Sequence, residues 1–294
     1  MDFRVLFYSL FIWIAMWMAC SNAEGDSASY GSNDTIVSGI KTDQIIDPLG
    51  MTLESRILPP NGFVRVKSET RSFAEYLRKL PVKPHGSPVL TYKGEPVHNS
   101  DVYIAVVNKK IGTNDLHQCA DAVMRLRAEY LYEIGQYDNI HFNFTNGKAM
   151  YYTEWMKGKR IVVKGNSCTW VQSAAPSNTP NDLWNYLTVV FNYAGSYSLS
   201  KELVPVDVKD MQIGDVFIKG GFPGHAVIVV DIAMNETTGE KIFLLAQSYM
   251  PAQEIHILIN PDNHNTPWYS LNYGSYLHTP LWNFYNNELM RFNK

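Results

Sequence analysis

Cys119, His225 and Gln247 are the residues of this sequence whose types could together perform nucleophilic chemistry. A cysteine attacks as its thiolate, a histidine can accept the thiol proton, and a neighbouring amide can hold the imidazole in one orientation. Such a set supports hydrolysis of an amide or peptide bond through a thioester. Because the three residues lie far apart in sequence, the fold must bring them together.

His225 opens an apolar run that directly follows a Gly/Pro-rich turn. Four successive runs of strand character between residues 215 and 259 predict an antiparallel meander. If residues 233–240 connect its second and third strands, the numbers of opposing residues sum to about 472, which places His225 opposite Gln247. His256, on the fourth strand, then lies beside Gln247. The pattern predicts a polar cluster at one end of the sheet.

His256 is read as a hydrogen-bonded buried histidine. A zinc site at His225 and His256 lacks a carboxylate at ligand spacing, so neither a metal nor another cofactor is predicted. Asp231, at the far end of the second strand, is expected to close a turn.

Cys119 falls on the strongest predicted helix, from Asp115 to about Ile134, with Asp115 and Gln118 as a capping pair. A cysteine near a helix N-terminus has a lowered pKa, which suits a nucleophile. The competing interpretation is a small core residue on the apolar stripe. The opposite face offers Asp121, Arg125 and Glu129 at four-residue spacing, which predicts a ladder of ion pairs.

Cys168 is the other cysteine beyond the N-terminal segment. The sequence does not decide whether Cys119 and Cys168 form a single disulfide. Such a disulfide would prevent Cys119 from acting as a nucleophile.

The N-terminal segment has a different composition. Residues 1–19 hold one arginine followed by an apolar run of secretory-signal length, so they are predicted to be a signal peptide. Cys20 follows a small residue, as in a lipoprotein signal, and is the predicted lipidation site; cleavage near Asn22 and Ala23 is the alternative. Residues 20–50 read as a lipid anchor and flexible tether, and residues 51–294 as a single α+β domain.

The overall composition excludes some classes of partner. A formal net charge of -3 and a pI near 6.2, without a basic stripe, argue against nucleic-acid binding. The 18 Tyr and 7 Trp suit a large core, and such side chains also occur on glycan-contacting surfaces.

Two resemblances add to this interpretation. Gly214-Asp215-Val216, followed by Gly224-His225-Ala226-Val227-Ile228, resembles the NlpC/P60-type cell-wall hydrolases, which are papain-like thiol enzymes. The match covers about residues 213–248. The helix that carries Cys119 matches only in its order along the chain, since it precedes this region. The setting Gln118-Cys119-Ala120-Asp121 departs from the Asp-Cys-Ser-Gly of that family.

A second resemblance spans nearly all of residues 50–294. The blocks 118–132 and 223–253, which include Gln118-Cys119-Ala120-Asp121 and Gln247-Ser248-Tyr249-Met250-Pro251, resemble the DUF4846 family. That resemblance implies an exported protein of a Bacteroidetes-type bacterium and supplies no activity.

The sequence thus predicts an α+β fold in which an antiparallel sheet packs against the Cys119 helix, as in papain-like and NlpC/P60-like proteins. The first functional hypothesis is a lipid-anchored envelope thiol hydrolase acting on peptidoglycan peptides or related amides, with Cys119 as nucleophile, His225 as base and Gln247 as orienting residue. The alternative is a non-catalytic envelope lipoprotein that binds glycan or peptide in an aromatic-lined cleft. A third hypothesis is an envelope assembly component without a small ligand.

Overall fold

The computed structural model describes residues 45–99 and 101–293, all of which belong to the unit Thr42–Lys294. The predicted signal peptide, Cys20 and most of the tether lie outside the described residues. Within those two ranges, no helix is both long and apolar enough to cross a membrane.

The helices and strands alternate along the chain without forming separate blocks. The α-helices are α1 (Leu53–Arg56), α2 (Phe73–Arg78), α3 (Cys119–Glu133), α4 (Tyr152–Met156), α5 (Pro180–Tyr193) and α6 (Ser196–Glu202). The strands are β1 (Phe63–Arg65), β2 (Tyr103–Val106), β3 (His141–Asn143), β4 (Ala149–Tyr151), β5 (Lys159–Lys164), β6 (Ser167–Gln172), β7 (Leu203–Pro205), β8 (Val216–Lys219), β9 (His225–Asn235), β10 (Lys241–Gln247), β11 (His256–Leu258), β12 (Tyr269–Ser270), β13 (Tyr276–Thr279), β14 (Trp282–Tyr285) and β15 (Leu289–Phe292).

One large antiparallel sheet organises the fold. Its strand order is β2-β11-β10-β9-β8-β15-β7, with β1 also pairing with β9 and β12 with β10. The predicted meander forms β8 to β11, which are neighbours in the sheet, so the mixed α+β class with a large antiparallel sheet is confirmed. Strand β15 lies between β8 and β7 and pairs with both of them.

The register of the β9–β10 hairpin differs from the predicted one by three residues near the connecting turn and by two residues toward His225. Leu244 lies opposite Asp231, whereas Leu245 lies opposite Val229 and Ala246 opposite Ile228, because the register shifts between Leu244 and Leu245. The prediction that His225 lies directly opposite Gln247 is therefore wrong. Because the difference is even at this end of the strands, His225 and Gln247 still point to one side of the sheet.

The two faces of the sheet contact different layers. Ala226 and Ile228 belong to the hydrophobic cluster formed with α3, whereas Val227 and Val229 belong to the cluster that includes Phe284 of β14. This alternation is what a strand covered on both sides requires. His225, the first residue of β9, therefore lies between the two layers, directly after the loop that precedes the strand.

Asp231 does not close a turn. It is fully buried, and its two carboxylate oxygens bind Nε of Arg65 and Nε of Arg78, each at 2.6 Å. The expectation failed because the partners come from β1 and α2, which are remote in sequence. Asp231 instead ties these two elements to the middle of β9.

Helix α3 begins four residues later than predicted. Gln118 is its N-cap, and the N–H of Gln118 donates to Oδ2 of Asp121 at 2.9 Å. Asp115 was the predicted cap, but its Oδ1 accepts the N–H of Ala252 at 2.6 Å and holds a different loop. Cys119 is consequently the first residue of the helix, where the backbone N–H groups have no intrahelical acceptor.

The predicted ladder on α3 forms only in part. Arg125 Nε pairs with Glu129 Oε1 at 2.8 Å, and Lys109 also pairs with Glu129. Asp121 takes no part because its carboxylate caps the helix start and is buried.

Candidate functional site

Three buried side chains form a hydrogen-bond chain at the His225 end of the sheet. Nε2 of His225 lies 2.8 Å from Oε1 of Gln247, and Nε2 of Gln247 lies 3.1 Å from Nε2 of His256. Nδ1 of His256 lies 2.9 Å from the carbonyl oxygen of Glu254. The sequence-predicted cluster of His225, Gln247 and His256 is thus brought together.

The carbonyl of Glu254 sets the direction of every hydrogen bond in this chain. A carbonyl only accepts, so His256 carries its proton on Nδ1 and accepts from the amide of Gln247 at Nε2. The oxygen of Gln247 then faces His225, which must donate from Nε2. In the neutral ring, this assignment leaves Nδ1 of His225 with a free lone pair, the form that a general base needs.

Aromatic rings fix the plane of the His225 imidazole. The ring meets Tyr249 edge-on at 5.2 Å between centroids, and it lies 5.7 Å from Trp282 and 5.8 Å from Phe284. The side chain is only 1% exposed. These neighbours shield the hydrogen bond to Gln247 from water and restrict rotation of the ring.

Burial keeps both histidines neutral. Desolvation lowers the pKa of His225 to about 4, against a smaller opposing effect of the hydrogen bond that His225 donates to Gln247. Desolvation likewise lowers the pKa of His256 to about 4, although the carbonyl of Glu254 favours its protonated form. At neutral pH the hydrogen-bond chain therefore carries no net charge.

Cys119 lies on the wall of a cavity of about 330 Å³ between the start of α3 and the loop before β9. The same cavity is lined by Phe191, Ser196, Gly224 and Met250, among others. Cys119 and Cys168 are both free thiols, so the disulfide left open by the sequence is not formed. The thiol is partly exposed and accessible from the cavity.

Opposing influences act on the Cys119 thiol. Burial dominates and raises its pKa to about 11, and the carboxyl of Asp121 adds to this rise. The N–H groups of Ala226, Ala120 and Cys119 itself favour the thiolate. The resting residue is a thiol, placed where backbone donors converge on its sulphur.

The sulphur and the imidazole meet the same end of β9 from different sides. The Ala226 N–H that favours the thiolate belongs to the residue directly after His225, but the His225 ring packs toward Phe284. Within the described part of the chain, no hydrogen bond joins the Cys119 sulphur to this ring. The Cys119 sulphur therefore lies beside the backbone of the residue that follows His225, but it forms no hydrogen bond with the imidazole itself.

Gly224 allows the loop before β9 to approach α6. A Cβ at this position would lie 2.4 Å from Oγ of Ser196 and 2.4 Å from the carbonyl oxygen of Gly221. Any other residue would push the loop away and widen the cavity. The same loop presents Phe222, whose side chain is 97% exposed, beside the cavity mouth.

Asp121 is a site residue that the sequence interpretation placed in a surface ladder. It lines the Cys119 cavity, and its Oδ1 is buried without a hydrogen-bond partner among the described residues. Desolvation raises the pKa of this carboxyl well above its usual value. Its position three residues after the N-cap Gln118 is the signal that could have identified it as a capping residue.

Residues 45–99 and 101–293 contain no group of three or more His, Cys, Asp or Glu side chains arranged to hold a metal ion.

The fold and the site define a class: a mixed α+β protein in which a cysteine at a helix start faces a strand that opens with a buried, amide-bound histidine. The chain belongs to the DUF4846 family, described as a domain of unknown function, whose model matches residues 53–291. No curated protein and no solved structure matches the chain.

Proposed function

We propose that this protein is a lipid-anchored thiol hydrolase of the papain-like and NlpC/P60-like type, acting in the bacterial cell envelope on peptidoglycan peptides or related amides. The observation that carries the proposal is the hydrogen-bond chain from Glu254 to His225. It leaves Nδ1 of His225 unprotonated, on the residue directly before Ala226, whose backbone N–H favours the Cys119 thiolate. A buried chain that selects one tautomer is what a general base requires, whereas packing alone does not require it.

The reaction would proceed in two balanced steps. Nδ1 of His225 takes the thiol proton as the Cys119 sulphur bonds to the carbonyl carbon of the amide. The oxyanion is stabilised by the N–H groups of Cys119 and Ala120 at the helix start. The C–N bond then breaks, and the amine leaves with the proton from His225. His225 then takes a proton from water as its oxygen bonds to the thioester carbon, and the C–S bond breaks to release the acid while that proton returns to the Cys119 sulphur.

The neutral resting pair shapes this chemistry. A thiol with a raised pKa and an imidazole with a lowered pKa do not exist as a preformed ion pair. Proton transfer must therefore accompany attack, and the thiol and the imidazole must first come into contact across the end of β9 while His225 keeps its hydrogen bond to Gln247. A substrate that fills the cavity and excludes water would strengthen the pairing of the charges that form.

The envelope assignment rests on residues 1–20. An arginine, an apolar run and a small residue before Cys20 are typical of a lipoprotein signal. Cells supplied with radiolabelled palmitate should incorporate label into the full chain and not into the Cys20→Ala variant. Equal labelling of both would exclude Cys20 as the anchor.

A non-catalytic receptor is the second candidate. The raised pKa of Cys119, the buried His225 ring and the exposed Phe222 at the cavity mouth favour binding of a peptide or glycan without turnover. The two candidates make opposite predictions for Cys119, which binding does not need as a nucleophile.

The test is hydrolysis of purified muropeptides by the full chain, followed by mass spectrometry. Wild type and Cys168→Ala should release peptide fragments at equal rates. Cys119→Ala and His225→Ala should lose about 1,000-fold or more of this activity, because nucleophile and base act as a unit. Gln247→Leu should lose about a hundredfold because the tautomer is no longer selected.

The control is binding of the same muropeptides to Cys119→Ala, measured by calorimetry. Cleavage by Cys119→Ala at the wild-type rate would overturn the hydrolase. If wild type binds the peptides and cleaves none, the receptor is the correct function.

A further inference from the structure

A second cavity, of about 290 Å³, lies further along α3. Its wall includes Arg127 of α3, His141 and Asn143 of β3, and Glu202 at the end of α6. It shares no lining residue with the Cys119 cavity. The two cavities are therefore separate sites, and the function of the second does not depend on the proposed hydrolase.

Arg127 contributes a cation without a charged partner. Its guanidinium lies 5.3 Å from the ring centre of Phe73, 5.6 Å from that of Tyr130 and 5.4 Å from that of Phe292. Among residues 45–99 and 101–292, no side chain forms an ion pair or a hydrogen bond with this guanidinium. Arg125, two residues earlier, is paired with Glu129 at 2.8 Å. The rings hold and partly desolvate Arg127 and leave its forked donors available to the cavity.

Glu202 contributes a carboxyl without a strong cationic partner. Its Oε1 accepts the N–H of Asn143 at 2.7 Å, while Oε2 lies 3.8 Å from Nδ1 of His141, which is longer than a hydrogen bond. Burial raises the pKa of Glu202 to about 7 and lowers the pKa of His141. The carboxyl and the imidazole thus do not neutralise each other.

The charges on this wall select the ligand. A simple anion would pair with Arg127 but would meet the Glu202 carboxyl, and a simple cation would meet Arg127. A molecule that carries both charges satisfies both groups. A guanidinium matches a carboxylate through two parallel hydrogen bonds, and a carboxylate accepts from an ammonium.

We infer that this cavity binds a small zwitterion, a free amino acid or a dipeptide, whose carboxylate pairs with Arg127 and whose ammonium group faces Glu202. The volume is at the lower limit of ordinary ligand pockets and suits a ligand of one or two residues.

Isothermal titration of the full chain with L-alanyl-L-alanine tests this site. N-acetyl-L-alanyl-L-alanine lacks the ammonium, and L-alanyl-L-alanine amide lacks the carboxylate. We expect each blocked peptide to bind about tenfold more weakly than the zwitterion, because a partly buried charge is then left unpaired. Titration with L-alanine distinguishes an amino-acid site from a dipeptide site.

Two variants assign the two ends of the ligand. Arg127→Met keeps an unbranched stem over the three rings and should remove the difference between the free acid and the amide. Glu202→Gln should remove the difference between the free amine and the acetylated peptide. Arg127→Lys, which keeps the charge, should retain part of the preference and serves if the methionine variant does not fold.

The matched control is Arg160→Met, since Arg160 lies 3.9 Å over the ring of Trp155 and outside this cavity. It should bind L-alanyl-L-alanine as wild type does. The inference is overturned if wild type does not bind the dipeptide or the amino acid at concentrations up to about 10 mM. It is also overturned if the blocked peptides bind as well as the zwitterion, or if neither cavity variant changes the preference.

Discussion

Strand β9 carries two buried polar clusters that are built on different principles. Around Asp231, one carboxylate is bound by Arg65 and Arg78, and both of its oxygens have charged partners. Around His225, two neutral imidazole rings and one amide form hydrogen bonds that all run in one direction. Nδ1 of His225 has no hydrogen-bond partner among the described residues. Both clusters interrupt an otherwise apolar strand.

The difference separates a structural cluster from a candidate reactive one. Removing one member of a closed ionic cluster leaves buried charges without a partner and lowers the stability of the fold. Removing one member of the neutral chain changes which nitrogen of His225 carries the proton. Loss of a side chain should therefore lower stability most in the first cluster, and protonation should have its largest effect on the second.

The largest expected effect is that of acid on the neutral cluster. The folded-state pKa values of His225 and His256 are lowered to about 4, and burial lowers that of His117 to about 3. Below the ordinary pKa of 6.5 the unfolded chain binds more protons than the folded one, so stability is full above pH 6.5 and falls toward pH 4. Several kcal/mol should be lost in total, at roughly 1.4 kcal/mol for each unit of pKa shift.

Urea unfolding between pH 4 and pH 8 measures this loss. His256→Leu should reduce the steepness of the decline because one buried titrating ring is gone. His264→Leu, which changes an exposed histidine, is the control and should follow the wild-type curve. A stability that does not change between pH 6.5 and pH 4.5 would contradict the neutral assignment of the rings.

The next largest effect is expected from Asp231→Ala, which leaves two guanidinium groups without their carboxylate. The free energy of unfolding should fall by about 3 kcal/mol or more, because Arg78 is nearly buried. Asp207→Ala breaks an exposed pair with Lys209 and should leave the free energy of unfolding close to that of wild type. In the folded protein, Cys119 should be alkylated at the same rate in Asp231→Ala, in Asp207→Ala and in wild type. Slower alkylation in Asp231→Ala would show that the two clusters are coupled.

The smallest expected effect is that of Asp121→Asn on the Cys119 thiol. The Asp121 carboxyl helps to raise the pKa of Cys119, and the amide oxygen of asparagine can still accept the N–H of Gln118. Alkylation by iodoacetamide at pH 8 should become about threefold faster, measured by mass spectrometry of the Cys119 peptide. Asp182→Asn changes the same capping position on α5 and should leave this rate unchanged. A slower reaction in Asp121→Asn would mean that the carboxyl activates the thiol.

Local patterns predicted much of this architecture. Apolar runs separated by turn residues identified β8 to β11, and the pairing of Gln247 with His256 follows from the short β10–β11 connection. The proximity of His225 to Gln247 could be predicted despite the register error, because a shift of two residues at this end of the strands conserves the face.

Other features depend on contacts between remote segments. Asp115 resembles a helix cap in isolation, but its carboxylate is taken by Ala252 in the folded chain, so the helix starts later. The partners of Asp231 lie more than 150 residues away in sequence. The side from which the His225 ring is covered depends on Trp282 and Phe284 in the tail. Such choices are made by tertiary packing, which local pattern does not encode.

The position of β15 has a consequence for biosynthesis. Residues 289–292 fill the gap between β7 and β8, so these two strands each keep an edge unpaired until β15 has been synthesised. Open edges of this kind recruit other extended chains. Early pairing of β15 with β7 and β8 would therefore protect a newly made copy of this protein from edge-to-edge aggregation.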